Sequence, residues 1–226
     1  MAIGGTTKKV SGNNKYMNTV IPTILVQDAN EFQTRWEKIK NSTDLLQLDV
    51  LDDTLVANSD WHDLDALQKL DGGPGFILHL MVNDPRQYLR RASENTKIYG
   101  AVWHIEAPID HAELLIFCQD KGWRCGLALN PKTDIEELEP FAEMVDEVLV
   151  LGVEPGFNGR KILPHTIDKV RKLKKRWPEL TVSFDGGITK ENLEELRSAG
   201  VSIFYVGSSI FNADDPRMAL EEMRNL

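Results

Sequence analysis

The chain has 226 residues, a formal net charge of −9 and 42% hydrophobic residues, which suit one globular domain with a substantial core. Its 35 acidic and 26 basic residues argue against nucleic acid or an anionic membrane surface as the main partner. No apolar run approaches the roughly 18 residues of a membrane span, so we also expect no membrane partner.

The amino-terminal stretch MAIGGTTKKVSGNNKYMN lacks the apolar core of a secretory signal. We interpret residues 1–18 as a flexible extension that precedes a single domain over residues 19–226. Cys118 and Cys125 are too few for a disulfide framework, and nothing near them has the spacing of metal ligands. We therefore predict two core thiols and a cytoplasmic protein.

Short β-rich runs alternate with amphipathic stretches along the whole chain, which is typical of a parallel sheet covered by helices. The predicted strands span residues 20–25, 45–51, 76–81, 99–105, 124–129, 147–151, 181–184 and 203–206. The predicted helices span residues 29–40, 61–70, 85–96, 111–121, 134–143, 164–177, 190–199 and 216–225.

Eight strand and helix units in a chain of this length predict an α/β fold, the single-domain (β/α)8 TIM barrel. A doubly wound open sheet is the competing fold, but it usually has fewer strands and a glycine-rich first turn. The first turn here, ILVQDAN, contains no glycine. Barrels of this kind often associate, so a homo-oligomer is compatible with the sequence.

The carboxyl ends of the strands, where such barrels carry their active sites, have a short set of polar residues. Gln47 and Asp49 lie two apart on strand 2 and therefore point to the same side. Asp49, His79 and Asp185 would meet in a carboxylate and imidazole cluster that suits Zn, Mn or Fe. Each could alone buttress a loop, but their joint placement favours a functional site.

Two further residues at the end of strand 4, His104 and Glu106, are weaker candidates. On an inward-facing strand either side chain could touch a substrate. A buried histidine with satisfied hydrogen bonds is nevertheless more often structural than catalytic.

Glycine-containing segments follow strands 6, 7 and 8: VEPGFNGR, DGGI and VGSSI. Glycine lets the backbone approach an anion closely, and consecutive N–H groups bind phosphate. The loops after strands 7 and 8 are the usual phosphate site of these barrels. Any one segment could be a tight turn, but three at these positions predict a phosphate-binding site.

The segments IPTIL, LDVLDD, LHLMVNDP, GLALNPKTD, VEPGFNGRKI, SFDGGITKEN and VGSSIF occur in this order along nearly the whole chain. Together they resemble the ribulose-phosphate 3-epimerase family. Members of that family are (β/α)8 enzymes that interconvert D-ribulose 5-phosphate and D-xylulose 5-phosphate. The resemblance implies a small-molecule sugar phosphate as the partner of this chain.

The resemblance also implies a divalent metal, Zn, Mn or Fe, held by four side chains. In the family these are a His and an Asp of strand 2, a His of strand 3 and an Asp of strand 7. The matching residues are Gln47, Asp49, His79 and Asp185, of which Asp49 and Asp185 would also be the acid and base. Gln47 replaces the family's His, and because an amide oxygen donates less strongly than imidazole, we expect weaker metal binding or a different metal preference.

The matching motifs carry over a set of expected contacts with the substrate and its phosphate. They are Thr23, Met81, Gly156, Phe157, Gly159, Gly186, Gly187, Gly207 and Ser208.

Other functions remain open at this stage. A non-catalytic homologue that binds a sugar phosphate is favoured by Gln47, whereas joint retention of Asp49, His79 and Asp185 favours an enzyme. An epimerase of another ketose phosphate is a further alternative. A related barrel decarboxylase fits poorly, because Leu51 stands where those enzymes carry a lysine.

Overall fold

The computed structural model describes residues 19–156 and 159–226. Its strands agree closely with the predicted ones. They are β1 (Thr19–Ile24), β2 (Leu45–Leu51), β3 (Gly75–Met81), β4 (Ile98–His104), β5 (Arg124–Leu129), β6 (Glu147–Leu151), β7 (Val182–Asp185) and β8 (Ile203–Val206). All neighbouring pairs are parallel, and β1 pairs with β8, so the sheet closes into a barrel in sequence order.

Helices cover the outside of the barrel. They are α1 (Ala29–Ile39), α2 (Leu64–Gln68), α3 (Arg86–Ala92), α4 (His111–Asp120), α5 (Pro164–Arg176), α6 (Lys190–Ala199), α7 (Ser208–Phe211) and α8 (Pro216–Asn225). A 3-10 helix, Ile135–Leu138, lies between β5 and β6. The architecture is therefore the predicted (β/α)8 barrel.

Both faces of each strand are covered, which is why the strands are nearly continuous apolar runs. On β2 every residue is buried. Leu46, Leu48 and Val50 belong to the large core between the strands and the helices. The alternating residues Leu45, Gln47 and Asp49 face the barrel interior, as the two-residue period of a strand requires.

Local signals account for most helix boundaries. The carboxylates of Asp28 and Asp110 accept hydrogen bonds from the first-turn N–H groups of α1 and α4, and Thr189 and Asn192 form a capping box on α6. No helix within residues 19–156 and 159–226 is long and apolar enough to cross a lipid bilayer.

The sequence prediction was wrong in two places. Instead of a helix over residues 134–143, the chain forms only the short 3-10 helix and turns. Pro140 explains this difference, because proline inside a helix removes a backbone donor and clashes with the preceding turn. The four-residue helix α7 after β8 was not predicted, and it lies in the loop region expected to bind phosphate.

Candidate active site

The strand register gathers the predicted metal and acid–base residues at the carboxyl end of the barrel. Asp49 pairs with His79 across β2 and β3, and Thr23 pairs with Gln47 across β1 and β2. Asp185 ends β7. One ligand atom from each of Asp49, His79 and Asp185 lies within 4.8 Å of the others, so this part of the structure has the spacing of a metal site.

His79 lies between the two carboxylates. Its Nδ1 is 3.1 Å from Asp49 Oδ1 and 3.5 Å from Asp185 Oδ2. Burial disfavours the charged ring, but the hydrogen bonds to Asp185 and Asp49 outweigh it and raise the pKa of His79 to about 9. In the absence of a cation, His79 is thus the positive charge that balances the two acids.

The Asp49 carboxyl lies in an environment that shifts its pKa. Burial and, less strongly, the nearby charge of Asp185 raise the pKa of Asp49 to about 6, against the opposing hydrogen bond from His79. A carboxylate with a pKa near the working pH can both accept and return a proton. The environment of Asp49 is therefore suited to proton transfer.

Gln47 is fully buried beneath these groups. Its Nε2 donates to Asp185 Oδ2 at 2.6 Å, Thr23 Oγ1 at 2.9 Å and Asp49 Oδ1 at 3.2 Å. Its Oε1 is buried without a hydrogen-bond partner among the described residues. The amide group thus joins the two carboxylates through its NH2 group.

The donor set fits a divalent metal at three of the four expected positions. Two carboxylates and an imidazole within 4.8 Å of one another are suitable ligands. Gln47 departs from the expected set, because it directs NH2 rather than oxygen at the carboxylates. If the amide rotated, its Oε1 would face one oxygen of each carboxylate. Three oxygens that close repel one another, so this arrangement is favourable only when a cation lies between the amide oxygen and the carboxylate oxygens. Three expected ligands therefore fit as they stand, and Gln47 fits only after its amide rotates.

A cleft opens above this cluster, and most of the predicted contact residues line it. The lining residues among the predicted metal, acid–base and contact residues are Thr23, Asp49, His79, Met81, Gly156, Gly159, Asp185, Gly186, Gly187, Gly207 and Ser208. Gln47 is not part of the lining, because it lies one layer deeper. The predicted contact Phe157 lies outside the described residues.

The glycine pair after β7 has the backbone geometry that only glycine adopts easily. Gly186 and Gly187 have φ angles of +98° and +74°. A Cβ on Gly187 would also meet the backbone N of Ile162 at 2.8 Å and the backbone O of Arg160 at 2.9 Å. The loops after β6 and β7 therefore pack backbone against backbone at the edge of the cleft.

Sequence reasoning missed Arg160 and Tyr205, which also line the cleft. Arg160 follows the Gly159 turn, and a cation beside a predicted phosphate loop was a usable signal. Tyr205 lies two residues before Gly207 on an inward-facing strand position, so the strand period could have identified it.

The weaker candidates extend the cluster: His104 is buried and Glu106 is half-buried. His104 Nε2 is 3.2 Å from His79 Nε2, and His104 Nδ1 is 3.1 Å from Glu106 Oε2. Burial alone would raise the pKa of Glu106, but hydrogen bonds from His104, Thr133 and the Asn130 N–H outweigh it and lower this pKa to about 2. Glu106 is therefore a fixed negative charge behind the histidine pair.

Glu106→Gln is expected to lower the free energy of unfolding by on the order of 2 kcal/mol at neutral pH. Because the folded-state pKa is depressed, charged Glu106 stabilises the fold above its ordinary pKa of 4.5, and this contribution disappears as the pH falls from there towards 2. Urea unfolding of both proteins at several pH values measures the difference, which should shrink across that interval. A difference that does not change with pH would contradict the electrostatic explanation.

Comparison with known proteins gives a consistent result. The sequence profile of the ribulose-phosphate 3 epimerase family matches residues 19–211. The ribulose-phosphate 3-epimerase of Schizosaccharomyces pombe is 32% identical, with 91% of this chain and 92% of that protein covered. The cytoplasmic isoform of ribulose-phosphate 3-epimerase from Oryza sativa subsp. japonica is 34% identical over the same shares.

A solved structure, the 3-hexulose-6-phosphate synthase of Salmonella typhimurium, superposes with a TM-score of 0.70. It covers 92% of this chain and 97% of that one at 14% identity, so the likeness concerns the barrel fold alone. The sequence profile spans most of the chain and both relatives exceed 30% identity across it. This chain belongs to the ribulose-phosphate 3-epimerase family.

Proposed function

We propose that this protein interconverts D-ribulose 5-phosphate and D-xylulose 5-phosphate by moving a proton at C3. The observation that carries the proposal is the pair of carboxylates, Asp49 and Asp185, which come from β2 and β7 and meet at the floor of one cleft. Inverting a carbon requires a proton to leave one face and another to arrive at the opposite face. Two acids from different strands can serve the two faces.

The proton transfers are derived from these two side chains. One carboxylate removes the C3 proton, negative charge develops on the enediolate oxygens, and the other carboxylic acid returns a proton to the opposite face. In the metal-free site, protonated His79, held between the acids, places positive charge beside that developing charge; His79 gives up this proton where it serves as a metal ligand. A divalent metal, Zn, Mn or Fe, held by Asp49, His79 and Asp185 would supply Lewis-acid stabilisation of the enediolate.

The remaining contacts position the substrate. Backbone N–H groups of Gly186, Gly187, Gly207 and Ser208 are proposed to bind the phosphate, the usual arrangement at this end of such barrels. Thr23 and Met81 line the sugar end of the cleft, and Gly156 and Gly159 line the β6 loop. This arrangement holds C3 over the two carboxylates.

Arg160 is the one Lys or Arg side chain among the residues that line the described part of the cleft. Because guanidinium binds phosphate strongly, Arg160→Gln is expected to raise KM for ribulose 5-phosphate about tenfold with little change in kcat. Lys132→Gln is the matched control, since Lys132 is an exposed cation on the neighbouring loop outside the cleft. Steady-state kinetics of both variants measure the effect, and an equal rise of KM in the two would contradict it.

Proton exchange at C3 tests the proposed activity directly. Purified protein would be incubated with ribulose 5-phosphate in D2O, alone and with Zn, Mn or Fe, and deuterium at C3 followed by NMR. We expect deuterium uptake together with formation of xylulose 5-phosphate. Absence of uptake under every metal condition would reject the proposal and favour the alternative, a non-catalytic homologue that binds a sugar phosphate.

The same assay with other ketose phosphates tests the substrate. A six-carbon ketose phosphate turned over faster than ribulose 5-phosphate would replace the proposed substrate by that alternative.

We also propose a cytoplasmic location, supported by the free, buried Cys118 and Cys125 and by the name of the rice relative. Homo-oligomer formation stays a prediction, which light scattering of the purified protein would test.

A further inference from the structure

Glu106 is anchored from several directions at the end of β4. Its Oε1 accepts the backbone N–H of Asn130 at 2.9 Å and the hydroxyl of Thr133. The turn that provides these donors is itself held by Lys169 on α5, whose Nζ donates to the Asn130 and Thr133 carbonyls, each at 2.6 Å. The carboxylate is therefore fixed in place by the loop after β5 and by α5.

His104 joins this carboxylate to His79 and is completely buried. Its Nδ1 lies 3.1 Å from Glu106 Oε2, and its Nε2 lies 3.2 Å from His79 Nε2. The two imidazole planes differ by 13° and their centroids are 5.3 Å apart, as expected for rings joined edge to edge by a hydrogen bond.

Hydrogen counting assigns the tautomers along this chain. Ionised Glu106 can only accept, so Nδ1 of His104 carries the hydrogen of their shared bond. A neutral His104 ring then has its lone pair on Nε2, 3.2 Å from Nε2 of His79. The hydrogen between the two rings must consequently be on Nε2 of His79.

The tautomer of His79 decides which of its two nitrogens can coordinate a cation. With hydrogen on Nε2, the lone pair of the neutral ring is on Nδ1. Nδ1 is the atom that faces Asp49 and Asp185, at 3.1 Å and 3.5 Å. A free histidine would populate both neutral tautomers, and only one of them suits this site.

We propose that His104 and Glu106 are positioning residues that hold His79 in its Nε2–H tautomer and so increase the affinity of the Asp49–His79–Asp185 site for a divalent cation. Outer partners of this kind fix ring orientation and raise the basicity of a histidine ligand. The inference deepens the proposed function at its metal site and depends on that function only for the biological use of the site.

His104→Phe removes the acceptor but keeps a buried ring, whereas His104→Gln can restore an acceptor for the His79 N–H. Calorimetric titration with Mn²⁺ is expected to give about 10- to 100-fold weaker binding for His104→Phe and a smaller loss for His104→Gln. Glu106→Gln should weaken binding as well, because it removes the charge that holds His104. Equal affinity of wild-type protein and His104→Phe would overturn the proposal.

Glu147→Gln is the control for unspecific effects of a buried glutamate change. Glu147 is fully buried at the start of β6, at the opposite end of that strand from the cleft, and it bonds Arg124 and the hydroxyl of Tyr205 rather than Asp49, His79 or Asp185. Its substitution should lower thermal stability and leave Mn²⁺ affinity unchanged. A loss of affinity in Glu147→Gln as large as in Glu106→Gln would mean that the effect is general destabilisation, and would overturn the positioning role.

A spectroscopic measurement on wild-type protein does not depend on any variant folding. ¹⁵N NMR of the Zn²⁺-loaded protein should find hydrogen on Nε2 of His79 and on Nδ1 of His104. Hydrogen on Nδ1 of His79, or no binding of either Mn²⁺ or Zn²⁺ by wild-type protein, would overturn the proposal. Intact metal binding without proton exchange at C3 would instead reject the epimerase function and leave this inference standing.

Discussion

Gln47→His is expected to bind Mn²⁺ or Zn²⁺ at least about tenfold more tightly than the wild-type protein, a gain of about 1.4 kcal/mol. The Gln47 amide donates hydrogen bonds from its NH2 group to Asp49 and Asp185, and it must rotate before its oxygen can face a cation. An imidazole at this position offers a strong nitrogen donor. Calorimetric titration measures the affinity, and kcat for epimerisation should rise in the same variant.

Gln47→Met is the matched control for this prediction, because it has nearly the same shape without either hydrogen-bonding group. It should show no gain in metal affinity, and it leaves the two carboxylates without their shared donor. If Gln47→His binds metal no better than Gln47→Met, the fourth ligand position is not available in this barrel.

Asp49→Asn and Asp185→Asn are each expected to lower kcat for epimerisation by roughly 10²- to 10⁴-fold, the usual contribution of a positioned acid or base. The two variants should differ in deuterium exchange. Each retains one carboxylate, so each should exchange the C3 proton of only the epimer whose proton faces that carboxylate. NMR in D2O measures the exchange rate of the C3 proton for each of the two variants with each of the two epimers.

Asp60→Asn provides a control at the same end of the barrel. The Asp60 side chain is shielded from solvent, and its carboxylate accepts from the Leu51 N–H and contacts His62 instead of facing the cleft. Its substitution should change kcat by no more than about threefold, which corresponds to less than 1 kcal/mol. Normal epimerisation by either Asp49→Asn or Asp185→Asn would reject the two-carboxylate mechanism.

The barrel could be predicted from the sequence because its strands and helices are encoded locally. Parallel strands that are covered on both faces are short apolar runs, and amphipathic stretches between them predict helices. The prediction failed at residues 134–143, where Pro140 interrupts a helical pattern, and it missed α7, which is too short to have a clear pattern. Neither error changes the order or the pairing of the strands.

The strand period also predicted which candidate site residues lie together. Residues that lie two apart on one strand share a face, so Gln47 and Asp49 were expected on the same side of the sheet. Parallel strands bring their carboxyl ends to one end of the barrel. The gathering of Asp49, His79 and Asp185 at the carboxyl end of the barrel follows from these rules. Their catalytic and metal-binding roles stay predictions, as does the binding of phosphate by the glycine loops.

The sequence by itself determined the element order, the inward-facing positions and the replacement of an expected histidine by Gln47. Only the tertiary structure decided how these groups bond to one another. Gln47 reaches Asp185 across 138 residues of sequence, and His79 meets His104 across 25. Such contacts depend on the register and closure of the whole barrel. No local pattern of residues specifies whether two side chains on different strands come within hydrogen-bonding distance.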